Sequence, residues 1–197
     1  MILEGLLTTL TPEGHLHLAP MGATIPPEEL DDSGQPNFSL RRLILRPFQT
    51  AQTYRNLRHH AEGVFHLTDD VLLIAQSAIG AVASFPPVRP ASLVLGYILQ
   101  DACRYYEFRI VRLDARHERA WMEAEVLASG RGREFLGFNR ARHAVLEAAI
   151  LATRIHLLPR DQILEEFRRL APLVDKTGGP RELAAFQLLQ DFLQRSG

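Results

Sequence analysis

The chain changes character near residue 137, and that change limits the folds open to it. Before it, strand-length apolar runs are broken repeatedly by clusters of Pro, Gly, Asp and Ser; after it, Phe138 to Leu158 runs without a Gly or Pro. Frequent turn signals between short apolar runs indicate hairpins, whereas an unbroken periodic stretch indicates helix. Ile2 to Leu10 reads as a strand, Thr11-Pro12-Glu13-Gly14 as a turn and His15 to Thr24 as the returning strand. Alternation along that second arm puts His15, His17, Ala19 and Met21 on one face and Leu16, Leu18 and Pro20 on the other. A loop rich in Pro, Asp and Gly follows and ends near Phe38.

Leu40 to Arg46 is expected as a third strand, Thr50 to His60 as a short helix and Gly63 to Thr68 as a strand. Asp69 or Asp70 caps a helix reaching about Ile79, and prolines 86, 87 and 90 mark a loop. Cys103 to Leu113 and Arg119 to Ala128 form a second hairpin, and Gly130 to Gly137 reads as a basic connecting segment. Three helices complete the chain, the last two separated by Lys176-Thr177-Gly178-Gly179-Pro180. The pattern predicts a mainly β fold with α, a small barrel with helices at its ends over residues 1–136, then a three-helix element over 137–197.

Composition excludes several classes. The 197 residues are 46% hydrophobic and 23% charged with net charge −1, which supplies no basic face for nucleic acid. Cys103 is the single cysteine, so no disulfide joins the chain to itself, and its setting in an apolar run reads as packing. Val71 to Val88 carries no charge but falls short of the roughly 20 apolar residues a span requires. The N-terminal residues Met1-Ile2-Leu3-Glu4-Gly5 lack the basic start of a secretory signal. A cytoplasmic protein that binds neither membrane nor nucleic acid is the expectation.

Two stretches carry chemistry. A helix opening near Thr50 offers free N–H groups and the positive end of its dipole to an anion. Thr50 and Thr53, three apart, put two hydroxyls on one side of that opening, and Arg46 just upstream can add a charge-assisted contact. Ala19-Pro20-Met21-Gly22 is instead small, flat and poor in polar side chains, suited to a planar ring lying against backbone. A phosphate at one end and a flat heterocycle at the other describe flavin mononucleotide (FMN). On spacing alone, the same residues also read as a plain helix cap and a strand end.

The ordered set Thr8-Thr9, Gly14, Ala19-Pro20-Met21-Gly22, Arg46-Pro47-Phe48, Thr53-Tyr54-Arg55-Asn56-Leu57 and Gly63-Val64-Phe65-His66-Leu67-Thr68-Asp69-Asp70 resembles the flavin-reductase-like FMN-binding split barrels. More narrowly it resembles the domain-of-unknown-function family 447, and the likeness continues at Gly137-Phe138-Asn139-Arg140-Ala141 and from Glu147 to Arg154. That resemblance implies a six-stranded split barrel, noncovalent FMN and a homodimer with each flavin near the subunit contact. Carried over, Thr8 and Thr9 sit beside the flavin, Ala19 to Gly22 pass along its ring, and Arg46, Pro47, Phe48, Gln49, Thr50, Thr53 and Asn56 wrap the phosphate and ribityl end. The chain departs at His17, where relatives often carry a smaller amide, and its single lysine, Lys176, is remote in sequence from these residues.

Other candidates are weaker. His15 and His17 share a face, but no further ligands with metal spacing follow. His66 and His156 lie in apolar runs and read as packing residues. Arg140, His143, Glu147 and Arg154 form one helical stripe, a solvated face or a polar seam, with Asn139 and Arg140 the functional candidates at its start. The functional expectation is an FMN-dependent oxidoreductase with a nicotinamide or deazaflavin donor. The alternative is a flavin-binding carrier, sensor or assembly protein. No catalytic residue is assigned, and His17 is the one titratable group placed nearby.

Overall fold

Alternation along the first hairpin determines what lies inside the barrel. In the computed structural model, which describes residues 1–36 and 39–196, β1 (Ile2–Leu10) and β2 (Leu16–Thr24) pair from Ile2–Thr24 to Leu10–Leu16. The loop end expected at Phe38 lies outside the described residues. Gly14 reverses the chain at φ +84°, a conformation that penalises any residue with a Cβ, and its N–H donates to the Thr11 carbonyl at 2.8 Å. Leu3, Leu7, Met21 and Ala23 share one face and pack into the core.

The remaining strands are β3 (Arg42–Leu45), β4 (Glu62–Leu67), β7 (Arg104–Asp114) and β8 (Trp121–Arg131). With β1 and β2 they close a six-stranded antiparallel barrel in the order β1-β2-β3-β8-β7-β4, as β4 pairs back onto β1. Leu43, Leu45, Phe65, Tyr106, Phe108 and Met122 fill it, joined by Tyr54 and Leu57 of α1 (Gln52–His59), so this helix plugs one end. Each such buried side chain contributes about 1.5–3 kcal/mol. Gly5 keeps β1 against β4, since a Cβ there would lie 2.2 Å from the His66 carbonyl oxygen.

The proline-marked loop contains a short hairpin, β5 (Val88–Pro90) with β6 (Tyr97–Leu99). Its residues Val94 and Ile98 pack on Val64, on the outer face of the barrel. Pro90 sits in a strand paired on one edge only, where a missing N–H is tolerated. Two carboxylates hold the connecting residues: Glu107 accepts from the Ser92 and Leu93 N–H groups, and Glu62 from that of Leu95. Gly130 and Arg131, expected in a connecting segment, extend β8 instead, paired to Tyr105 and Arg104.

These strands, with α1, belong to one compact unit, residues 1–68 and 86–134. The second unit holds residues 69–85 and 135 onward, and in it α2 (Val71–Ala78) packs with the tail helices. The tail comprises α3 (Arg140–Ala152), α4 (Arg160–Thr177) and α5 (Pro180–Arg195). Arg142 joins three of these helices: its guanidinium bonds Asp69 beside α2 at 2.6 Å and Glu182 of α5 at 3.0 Å. α3 stops at Ala152, short of the expected Leu158, and His156 in the following turns is exposed, where packing was expected.

His66 is fully buried, with Nδ1 3.2 Å from the Leu6 carbonyl and Nε2 accepting from the Leu99 N–H at 3.1 Å. Burial pushes its pKa down to about 4, opposed by the Leu6 carbonyl. The unfolded chain protonates this histidine near pH 6.5 and the folded chain near 4, so acid favours unfolding between those values. Stability owed to His66 is complete above pH 6.5 and declines toward pH 4 by roughly 3 kcal/mol. Urea midpoints of the native protein should fall over that range more steeply than those of His66→Gln; equal slopes would refute this assignment.

Candidate functional site

The barrel is split where β2 and β3 part. Among the described residues they pair at just two positions, Ala23 with Leu45 and Thr24 with Ile44. The Ile25 N–H donates to the Met1 carbonyl and the Thr11 N–H to the His15 carbonyl, which fixes the phase of the β1–β2 ladder. Odd-numbered residues of β2 therefore bond to β1, and Leu16, Leu18, Pro20 and Gly22 direct their backbone groups to the opposite edge. Pro20 falls where no N–H is required of it. The result is a strand edge of carbonyls and N–H groups, with Ala19, Pro20, Met21 and Gly22 each partly exposed along it.

The chain after β3 leaves β2 because it is tied elsewhere. Phe48 bridges to Arg119, the Gln49 N–H donates to the Glu118 carbonyl at 3.0 Å, and Arg119 donates to the Arg46 carbonyl at 2.9 Å. The Gln49 side chain completes the tie, its amide nitrogen donating to the Ala115 and His117 carbonyls at 2.8 and 2.7 Å. Pro47 is buried, and Arg46 and Thr50 are exposed.

α1 then opens without a side-chain cap and without an acidic residue in its first turn. It begins at Gln52, so Thr50 precedes the opening turn in which the sequence reading placed it, and Thr53 is buried at 3% exposure. The two threonines therefore do not form a hydroxyl pair on that turn. Arg55 folds back over the same end: Nη1 donates to the Thr50 carbonyl at 2.7 Å, and Nε and Nη2 to Gln52 Oε1 at 3.1 and 2.7 Å. Three of its five N–H groups are thus committed to neutral oxygens, leaving a guanidinium charge beside the positive end of a helix. Uncapped N–H groups, an arginine and no carboxylate in that turn suit a phosphate monoester.

A chain of side chains runs from there into the barrel end. Gln52 Nε2 donates to Asn56 Oδ1 at 2.7 Å, Asn56 Nδ2 to Thr9 Oγ1 at 2.9 Å, and Thr9 Oγ1 stands 3.4 Å from His17 Nδ1. Thr9 and Asn56 are buried, and His17 is partly exposed. Burial first, then the Arg55 charge, holds the His17 pKa below the ordinary histidine value. Thr8 points to the other face, where its hydroxyl donates to the Tyr97 carbonyl at 2.6 Å and fastens β6. Asn139 and Arg140 lie in the helical unit: Asn139 caps α3 by accepting from the Ala141 and Arg142 N–H groups and donates to the Thr177 carbonyl, while Arg140 is exposed.

Sequence reasoning gave Arg55 and Gln52 no individual role, although both fall within the segments it singled out. The available signal was helical spacing, since Gln52 stands three before Arg55 and four before Asn56.

Two models of one family, described as protein of unknown function (DUF447), match the chain, the N-terminal domain over residues 3–133 and the C-terminal over residues 139–191. An FMN-bound protein from Methanosarcina mazei, assigned to the same family model, is similar in structure at TM-score 0.79 and 23% identity, over 97% of this chain and 94% of that one. Flavoredoxin from Methanosarcina acetivorans is similar at TM-score 0.53 and 11% identity, over 69% of this chain and 72% of that one. An FMN-binding protein from Thermus thermophilus gives TM-score 0.50 and 12% identity, over 66% and 70%. At these identities the likeness is one of fold, the split barrel that the resemblance implied. No curated protein matches the chain.

The geometry assigns Gln49 to holding the split open. Gln49→Ala removes two hydrogen bonds and should lower the unfolding free energy by about 1–2 kcal/mol in urea titration; an unchanged midpoint would contradict that role.

Proposed function

The chain belongs to the DUF447 family, and from that premise we propose that it is an FMN-binding flavoprotein acting as an FMN-dependent oxidoreductase of the flavin-reductase type. The observation that carries the reading is the uncapped opening of α1, with Arg55 folded over it, in the segment that departs from the free edge of β2. The Gln52 and Thr53 N–H groups and Arg55 would hold the phosphate, with Arg46 and Thr50 exposed close by in sequence. The backbone groups of Leu18, Pro20 and Gly22 that face away from β1 would meet the polar edge of the ring. That edge suits a flat heterocycle because it offers backbone carbonyls and N–H groups, and Ala19, Pro20, Met21 and Gly22 carry no polar side chain of their own. FMN, when bound, supplies two-electron chemistry at its N5 position.

The chain's own contribution is binding, orientation and placement of hydrogen bonds. We further propose a homodimer, located in the cytoplasm, that takes electrons from a nicotinamide or deazaflavin donor docking directly over the ring. The FMN-bound family member and the flavin-related proteins of like fold support the cofactor reading.

Calorimetry should show FMN binding at least tenfold tighter than riboflavin, because the phosphate end supplies charge-assisted contacts that riboflavin lacks. Equal affinities would remove the phosphate assignment, and absence of FMN binding would remove the flavin reading. Anaerobic mixing of the loaded protein with NADH, NADPH or a reduced deazaflavin should bleach the flavin absorbance. Retention of colour with every donor would favour a carrier or sensor over an enzyme.

A further inference from the structure

Arginine can donate hydrogen bonds and cannot accept them, and that asymmetry runs through four side chains. Because Arg55 Nε and Nη2 both approach one atom of Gln52, that atom must be the carbonyl oxygen. The Gln52 nitrogen therefore faces Asn56, which must turn its own oxygen toward it. The Asn56 nitrogen is then left to face Thr9, whose hydroxyl oxygen accepts. With one lone pair engaged by that donor, the Thr9 hydroxyl keeps its proton for His17 Nδ1, 3.4 Å away, and an unprotonated Nδ1 receives it. A proton on Nδ1 would instead make the hydroxyl accept twice, and among the described residues its own hydrogen would then have no acceptor.

We propose that Arg55, acting through Gln52, Asn56 and Thr9, fixes the His17 proton on Nε2, so that a neutral imidazole N–H stands ready to donate to an oxygen at the phosphate end of bound FMN. The assignment of the recipient rests on the flavin reading above; the tautomer does not. His17 shares its face of β2 with His15, which is exposed. β1 presents the neutral Thr9 and α1 the neutral Asn56 together with Arg55, the charge that acts on the ring. A cation there opposes a second one on the imidazole, which agrees with the neutral form that the hydrogen-bond directions require. The tautomer decides what the site can recognise: a fixed N–H favours an acceptor such as a phosphate or hydroxyl oxygen and disfavours a donor.

The test uses the full chain labelled with nitrogen-15 histidine, with His17 identified by the signal lost in His17→Gln. Long-range proton–nitrogen correlation at neutral pH should show a single neutral tautomer protonated on Nε2. In Arg55→Met, at an exposed position, the polarity is released and a mixture of tautomers should appear. Asn56→Asp should reverse the order, because the new carboxylate cannot donate to Thr9, whose oxygen then accepts from Nδ1. A native His17 that is charged or protonated on Nδ1, or a native-like spectrum in Arg55→Met, would overturn the proposal even if the buried Asn56 variant fails to fold.

The donor role is read by calorimetry. His17→Ala should bind FMN about tenfold more weakly, and His17→Gln should recover most of the loss. Equal FMN affinity in native protein and His17→Ala would refute the donor role. If the native protein takes up no FMN, the flavin reading and the recipient fail together, and the nitrogen spectra still decide the tautomer.

Discussion

A β-strand that, among the described residues, is paired along one whole edge and at only two positions of the other is the constraint from which the candidate site follows. β2 gives half its backbone groups to β1 and, beyond Ala23 and Thr24, none of the other half to β3. Exposed edges attract further strands, and their polar groups need partners from water, side chains or a ligand. Two features maintain the opening. Pro20 faces the free edge with no N–H, and the segment that might have continued β3 is drawn to the β7–β8 turn by Gln49, Phe48 and Arg119. Closing the split would cost the Gln49 amide both of its carbonyl partners.

The opening of α1 poses a complementary electrostatic problem. Cations are favourable at helix C-termini and unfavourable at N-termini, yet Arg55 lies over the first turn, held by the Thr50 carbonyl and Gln52. Neutral partners leave its charge uncompensated, which an arriving anion would correct. The same guanidinium also orders the amides behind it, so charge at the mouth and hydrogen-bond direction in the interior have one source. A lysine could not substitute, since the planar fork reaches the Thr50 carbonyl and Gln52 together.

The helical unit relies on a different device. Arg142 on α3 is bracketed by Asp69, almost wholly buried, and Glu182, which also accepts from the Gly179 N–H at the start of α5. Breaking such a pair from one side leaves a buried charge without compensation, so the arrangement specifies how α2, α3 and α5 meet. Asn139 and Thr177 add a stitch between the start of α3 and the end of α4. The polar start of α3, a functional candidate from its sequence, has its asparagine committed to structure in this way.

Local periodicity and turn chemistry were sufficient to determine the β1–β2 and β7–β8 hairpins and the helix starts at Asp70 and Pro180. These depend on neighbours within a few residues, where spacing and backbone preference operate. They also singled out the segments of the candidate site, because a flat strand and a helix opening are local features. What each side chain does there was decided by partners far along the chain. Thr8 is claimed by Tyr97, Gln49 by Ala115 and His117, Asn56 by Thr9, and Asp69 by Arg142. The β5–β6 hairpin and the placement of α2 among the tail helices were likewise settled by packing surfaces that closure of the fold creates. A hydrogen bond has a direction and a single recipient, and neither exists until the fold has brought donor and acceptor together.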